Sequence, residues 1–315
     1  MPQQTLDLGP DEFLHVAVPP AIAETVAAVS PRLRVHSFHP GDGVPTGEAV
    51  GSRVWVPPSG FPTVPDEVVR ALPELRLVQL LTAGAERFIG RLPEGVVLCN
   101  ARGAHTPSTA EWVMAATLAA QRGIPFFTRE QDAGRWSFCR QHTLFGARVL
   151  VVGAGDIGRA IGRMLDGFGV EVEFVARSAR DGVHATSELP RLLPEADVVV
   201  LVVPVTPETT GMVDAAFLAA MKDDALLVNA ARGVVVDTDA LLAELTSGRL
   251  RAALDVTDPE PLPPGHPLWT APGLLLTPHV GGEIPGTVER GAESVAAQLR
   301  RVLAGEPLAD VVGDY

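Results

Sequence analysis

Lysine is all but missing from this 315-residue chain, in which Lys222 stands alone among 25 basic residues. Arginine carries the rest, a bias of base composition that goes with the many Ala, Gly and Pro residues and has no functional weight. Cysteine is nearly as scarce. Cys99 and Cys139 fit no metal-ligand spacing and cannot staple a small framework, so a disulfide scaffold and a zinc module are excluded and two reduced, partly buried thiols are expected. His36 and His39 have a possible ligand spacing but no Cys or acid cluster beside them, so no metal is expected. No apolar run approaches the roughly 18 residues of a membrane span, and the opening Met1–Glu12 has no basic stretch ahead of a hydrophobic one. A cytoplasmic protein without membrane contact is expected. Basic charge is also in deficit, 25 Lys+Arg against 38 Asp+Glu for a net −13, which repels phosphate backbones and argues against nucleic acid as a partner.

What is present is a globular balance, 46 % hydrophobic and 20 % charged, long enough for two domains. Short apolar runs alternate with helical patterns, the sequence form of a parallel sheet covered on both faces. Leu14–Val18, Arg53–Val56, Leu75–Leu81 and Val96–Asn100 read as strands of a first, smaller domain. A helix signal begins at Thr106, with Pro107 suited to a first turn and Ser108 and Glu111 at capping-box spacing. Strands are then predicted at Arg148–Val152, Val170–Ala176, Asp197–Val203, Ala225–Asn229, Arg251–Asp255 and Leu274–Thr277, six in all, enough for a complete doubly wound domain. Pro285–Leu303 reads as a helix with Val288, Ala292, Val295 and Leu299 on one face, returning to the first domain and making it discontinuous. The expected organisation is therefore α/β, with residues 1–102 and 285–315 in a smaller domain and residues 103–284 in a cofactor domain. Trp112, Trp136 and Phe138 are expected in core or interdomain packing, with an approach to the pocket as the alternative reading.

Arg148–Val152 runs directly into Gly153-Ala154-Gly155-Asp156-Ile157-Gly158 and then into a helix with Ile161, Leu165 and Phe168 at helical spacing. In that strand–turn–helix context Gly153 permits the tight turn, Gly155 lets backbone approach a pyrophosphate, and Gly158 lets the helix lie against the strand. Free N–H groups at the helix start, those of Asp156 and Ile157 included, then face the phosphate. The second strand ends in Ala176, where a dinucleotide fold commonly carries an acid for the adenosine ribose. Arg177, Ser178 and Arg180 come next, a set suited to a 2′-phosphate, so NADP is expected over NAD.

Ligands of a doubly wound sheet bind beyond the carboxyl ends of its strands. After three consecutive predicted strands come Arg232 in Ala230-Ala231-Arg232-Gly233, Glu260 in Asp258-Pro259-Glu260-Pro261, and His279 in Thr277-Pro278-His279-Val280-Gly281-Gly282. An arginine can pair with a substrate carboxylate and polarise its ketone, a histidine can supply a proton to the developing alkoxide, and a carboxylate can keep that histidine protonated.

With these motifs the chain resembles the D-isomer-specific 2-hydroxyacid dehydrogenases, from about Asn100 to Gly282, with the first hundred residues matching only in outline. The resemblance implies a Rossmann-type cofactor domain inserted into a smaller flavodoxin-like substrate domain. It also implies Arg232 as substrate-binding arginine, Glu260 as acid partner and His279 as proton donor. Nicotinamide contacts would fall on Ala230, Asp255 and Gly281, and the cofactor groove on Pro204 and Thr209. A carboxylate cradle would fall on Thr82-Ala83-Gly84, with the backbone of Ala83 and Gly84 doing the binding. Ala176 is similar to NADPH-dependent glyoxylate and hydroxypyruvate reductases, and the family implies a homodimer acting on a small 2-oxo or 2-hydroxy acid. The Asp usual just after the cradle is absent from Ala85-Glu86-Arg87-Phe88, so the substrate is not named. A second reading is a non-catalytic nucleotide sensor of the co-repressor kind, expected to carry a partner-binding tail, whereas this sequence ends at Tyr315. A formate enzyme would have glutamine in place of Glu260, and a phosphite enzyme a lysine in the cradle, so both are disfavoured.

Overall fold

The computed structural model describes residues 4–9, 11–59 and 66–313, which divide into two compact units, one made of those up to 105 and from 285 onward and the other of 106–284. Tyr315, on which the expectation about a tail rests, lies outside the described residues, as do Met1, Pro2, Gln3 and Pro10 of the opening segment.

The smaller unit holds five parallel strands, β1 (Leu14–Val18), β2 (Leu33–Ser37), β3 (Val54–Trp55), β4 (Leu77–Gln79) and β5 (Val97–Cys99), in the order β2-β1-β3-β4-β5. That is the flavodoxin-like order. Leu14, Val16 and Val18 of β1 point to one face and are buried with Ala292, Val295, Leu299 and Val302 of the returning helix Thr287–Leu303. Four of its strands are legible as apolar runs, but β2 is not. It is an edge strand whose Arg34 and His36 alternate with Leu33 and Val35, and it pairs only with β1. Val288 lies off the buried stripe of the returning helix, which begins at Thr287, and is exposed, contrary to the expected face.

The larger unit is a sheet of seven parallel strands, β6 (Arg148–Val152), β7 (Glu171–Ala176), β8 (His184–Ala185), β9 (Val198–Leu201), β10 (Leu226–Asn229), β11 (Arg251–Leu254) and β12 (Leu274–Leu276), in the order β12-β11-β10-β9-β6-β7-β8. Strand order reverses at β6, the first strand of the unit, which gives the Rossmann arrangement extended by one strand. Seven strands replace the six expected because β8, two residues long at the edge, is too short to leave a pattern. Val198, Val199, Val200 and Leu201 are all buried, as a strand covered on both faces requires. The helix Thr106–Gln121 starts at Thr106, so Ser108 sits inside the first turn, buried, and is not the cap. Its Ala110, Val113 and Ala116 pack with Ile161 and Leu165 of the helix Asp156–Leu165, and Trp112 lies against the same cluster.

Trp136 and Phe138 depart from the expected packing. They are 99 % and 89 % exposed, on an irregular segment between the helix Ile124–Asp132 and β6. Cys139, on the same segment, is exposed rather than partly buried, while Cys99 is buried. No helix among the described residues is long and apolar enough to cross a membrane.

Candidate active site

β10, β11 and β12 are aligned so that Asn229, Leu254 and Leu276 lie side by side. The three strands therefore end together, and the loops leaving them all emerge at one edge of the sheet.

After β10, Asn229 is buried and its amide shapes the turn, accepting from the Ala231 N–H at 3.0 Å and donating through Nδ2 to the Arg232 carbonyl at 3.0 Å. The Arg232 guanidinium donates through Nη1 to the Ala231 carbonyl at 2.7 Å. After β11, Thr257 Oγ1 donates to the Pro259 carbonyl at 2.9 Å and Thr238 Oγ1 to the Asp258 carbonyl at 2.8 Å, fixing the loop that carries Glu260. Both proline bonds of this loop, Asp258–Pro259 and Glu260–Pro261, are cis.

After β12 the loop turns back on Asp255. This carboxylate is only 4 % exposed and accepts from Thr277 Oγ1 at 2.6 Å, the Val280 N–H at 2.9 Å and the Gly281 N–H at 2.8 Å. The Asp255 carbonyl also accepts from the His279 N–H at 2.7 Å. Asp255 thus clamps both sides of His279, whose backbone sits in the left-handed region at φ 56°. A non-glycine residue is held there only when its surroundings dictate it. The clamp directs the His279 ring to Glu260, with Nδ1 to Oε1 at 2.7 Å, both side chains partly exposed. The structure brings the predicted His and Glu into direct contact.

The glycine turn comes directly after β6. Gly153 has φ 121°, and a Cβ there would run into the Val202 carbonyl, while a Cβ at Gly158 would strike the Gly153 carbonyl. Gly155 opens the helix Asp156–Leu165 and has nothing in front of its Cβ position, so backbone at the helix start is approachable by a ligand. In the loop after β9, Thr209 Oγ1 donates to the Pro204 carbonyl at 2.7 Å and accepts from the Thr206 N–H at 2.8 Å. Ala230 is half-buried between Asn229 and Ala231.

Beyond β7, Arg177, Ser178 and Arg180 are exposed. Arg180 Nη2 donates to the Ala154 carbonyl at 3.2 Å, which ties it to the glycine turn. The structure adds a carboxylate that the sequence pattern does not place here. Glu208, from the loop after β9, is held below the ordinary glutamate range by the Thr206 hydroxyl and a backbone N–H, with a smaller contribution from the Arg177 guanidinium. Ala83 and Gly84 come after β4 in the smaller unit, where Asn100 Nδ2 donates to the Ala83 carbonyl at 2.8 Å and Thr82 Oγ1 to the Gly84 carbonyl at 3.2 Å. No His, Cys, Asp and Glu cluster suited to a metal occurs among the described residues.

Asn229, Thr257 and Thr277 are the site residues that motif reading missed. Asn229 and Thr257 act within their own loops and Thr277 on the end of the neighbouring strand, and the one signal each leaves is a polar residue just beyond an apolar strand.

Comparison with known proteins agrees with this fold. Residues 114–281 match the family model "D-isomer specific 2-hydroxyacid dehydrogenase, NAD binding domain". The chain belongs to the D-isomer specific 2-hydroxyacid dehydrogenase family, and its larger unit is an NAD(P)-binding domain. D-3-phosphoglycerate dehydrogenase of Mycobacterium tuberculosis strain H37Rv is 37 % identical over 79 % of this chain and 49 % of its own length, so the chain spans about half of that relative. Glyoxylate reductase of Thermofilum pendens is 33 % identical over 76 % of this chain and 75 % of its own. Among solved structures, a D-isomer specific 2-hydroxyacid dehydrogenase from Xanthobacter autotrophicus Py2 in complex with NADPH and MES superposes with a TM-score of 0.84 at 32 % identity, covering 96 % of this chain and 98 % of that one.

Proposed function

We propose that this protein reduces a small 2-oxo acid of the glyoxylate or hydroxypyruvate kind to the D-2-hydroxy acid, with NADPH as preferred cofactor and NAD as a possible substitute. The observation that carries the reading is the 2.7 Å contact between His279 Nδ1 and Glu260 Oε1 at the carboxyl edge of the sheet. Glu260 fixes the ring through Nδ1, and the opposite ring nitrogen, Nε2, is then the one that can hand a proton to a substrate oxygen. Arg232, fixed by Asn229 through its backbone, pairs with the substrate carboxylate and polarises the ketone. Ala83 and Gly84 are read as further carboxylate-binding residues.

A reduced nicotinamide bound to this unit supplies the hydride. Gly153, Gly155, Asp156, Ile157 and Gly158 would hold the pyrophosphate with backbone N–H groups, and Pro204 and Thr209 would line the groove. Ala230, Asp255 and Gly281 would meet the nicotinamide. Three hydrogen bonds already engage the Asp255 carboxylate, out of about four lone-pair sites, so its first task is to hold the His279 loop. Arg177, Ser178 and Arg180 would hold the 2′-phosphate. The NADPH complex of the Xanthobacter protein supports that choice, and the end of β7 at Ala176 removes the acid that would repel the phosphate.

A homodimer is the proposed assembly. Trp136 and Phe138 are almost fully exposed, and burying aromatic groups of this size drives association. Light scattering of the parent and of Trp136→Ser with Phe138→Ser is expected to give a dimer and a weakened dimer.

Glyoxylate, hydroxypyruvate, pyruvate and phenylpyruvate, each tested with NADPH and NADH by nicotinamide absorbance, check the main proposal, with D-3-phosphoglycerate and NAD+ as a further arm. Consumption of NADPH with one of the small 2-oxo acids is expected. No turnover with any of them would remove it.

A further inference from the structure

The turn that leaves β7 carries Arg177, Ser178 and Arg180 and runs into β8, so it hangs between two neighbouring strands of the larger unit. β8 is the weaker support. It is two residues long, lies at the sheet edge, and meets β7 only through the pairs Val175 with His184 and Ala176 with Ala185. So short an edge strand has little ladder of its own, and side chains are left to fix its place.

His184 is the side chain that does so. Glu173 stands two residues before Val175, the register partner of His184, so the Glu173 and His184 side chains share one face of the sheet. Nε2 of His184 lies 3.3 Å from Oε1 of Glu173, and Nδ1 meets Oε2 of Glu188, in the turn Thr186–Glu188, at 3.1 Å. Glu188 also reaches back to β8, its Oε1 accepting from the Ala185 N–H at 3.1 Å, and Arg191 Nη2 donates to its Oε2 at 3.0 Å. Chiefly the Arg191 guanidinium and the Ala185 N–H hold the Glu188 carboxyl below the ordinary glutamate range. His184 thus joins β7 to β8 and to the turn beyond. From β8 the chain leads back to the cofactor turn through Val183, which is buried and exchanges N–H to carbonyl hydrogen bonds with Arg180 in both directions, at 2.8 and 3.0 Å. Arg180 Nη2 then reaches the Ala154 carbonyl of the glycine turn.

Five strands separate β8 from β12, so this cluster takes no part in the chemistry at His279. His184, Glu173 and Glu188 are each about a third or more exposed, where ion pairs add little to global stability, and their effect is therefore local. We propose that His184 is a positioning residue for cofactor choice: with Glu173 and Glu188 it locks β8 to β7 and so holds residues 177–180 in the shape that takes a 2′-phosphate. The inference rests on the assignment of that turn to the 2′-phosphate made above. Without the lock the turn still borders the adenosine ribose, but its arginines are no longer prearranged, so the loss falls on the phosphorylated cofactor.

Isothermal titration calorimetry on the intact chain tests this with adenosine 2′,5′-bisphosphate and AMP, two probes that differ in the 2′-phosphate and need no catalysis. The parent is expected to bind the bisphosphate more tightly. His184→Ala and Glu173→Val should each weaken the bisphosphate about fivefold or more and leave AMP within about twofold, with melting close to the parent's. His184→Gln, which can still donate to Glu188, should fall between the parent and His184→Ala. If urea melts show that His184→Ala does not fold, Glu173→Val decides. Equal loss of both probes, or an unchanged ratio of the two affinities in the folded variants, would overturn the lock and leave the assignment of the turn standing. A parent that binds AMP as tightly as the bisphosphate would overturn that assignment and the lock with it.

Discussion

At the carboxyl edge of the seven-stranded sheet the polar groups come with partners in place, whereas at its amino edge two buried polar atoms have none. His279 meets Glu260, Asp255 is engaged by three donors, and Asn229 spans its own turn. At the other edge Gln121 Oε1 and Arg251 Nη1 are buried and unmet. The same alternation of strand and helix builds both edges. The carboxyl edge is thus preorganised, its hydrogen bonds already holding the groups proposed to act on a substrate, while the amino edge keeps two buried polar atoms without a partner.

The largest effect expected falls on that preorganised edge. His279→Ala removes the proton donor and should lower the turnover number about a thousandfold or more with NADPH affinity intact, while Gln121→Met leaves turnover close to the parent's. Steady-state kinetics of the two variants make the comparison directly, and a large loss in Gln121→Met with none in His279→Ala would reverse it. Arg232→Ala should raise the Michaelis constant for the 2-oxo acid about ten- to a hundredfold, with a smaller loss of turnover, because a carboxylate clamp acts in the ground state as well. Glu260→Gln keeps the shape but removes the carboxylate that meets His279 Nδ1, so it should lower turnover about tenfold or more with the Michaelis constant for the 2-oxo acid little changed, read by steady-state kinetics.

Asp255→Asn tests the clamp itself. It places an NH2 where N–H donors converge, so it should cost about 1–3 kcal/mol of stability and lower turnover together, read by urea melts and initial rates.

Smaller effects are expected around the cofactor. Arg177→Ala should weaken NADPH by about 1.5–3 kcal/mol and leave NADH unchanged. Glu208→Gln should strengthen NADPH a few-fold, since it removes a carboxylate close to Arg177. Competition titrations with both cofactors check the pair. Thiol chemistry separates two further environments. Burial pushes the Cys99 thiol up to about 12 while Cys139 is exposed, so a thiol reagent near neutral pH should label Cys139 alone in the native protein and both after unfolding. Asp197 gives the smallest effect. Burial pushes its carboxyl up, but the Lys222 ammonium and the Arg148 N–H outweigh this and hold it below the ordinary range. Its contribution is present above the unfolded value and lost as pH falls through the lowered one, so Asp197→Asn should flatten the acid limb of stability, read by urea melts across acid pH.

The contrast between the edges also bears on how much could be read in the sequence. Arg232, Glu260 and His279 were legible because each lies a few residues beyond an apolar run, and a parallel sheet gathers the loops that leave its strands. Gly153 and Gly158 were legible because close backbone approach tolerates no Cβ. Gln121 and Arg251 were not, since one ends an alanine-rich helix, the other opens a strand, and nothing in either run marks a buried atom without a partner. β2 and β8 escaped for a related reason, because an edge strand needs no continuous apolar run. Trp136 and Phe138 were misplaced because large aromatic groups imply burial, and a single chain does not show that they can stay outside its own core. The electrostatic influence of Arg177 on Glu208 runs between loops after two different strands, which no local pattern encodes.

The stoichiometry and handedness of one reaction test the proposed chemistry at its root. Hydroxypyruvate and NADPH are incubated with the protein, nicotinamide absorbance is followed to completion, and the product is resolved by chiral chromatography. One D-glycerate formed per NADPH consumed, with negligible formation in His279→Ala under the same conditions, is the result expected of a reductase with His279 as proton donor. L-glycerate, or equal formation in parent and His279→Ala, would contradict it.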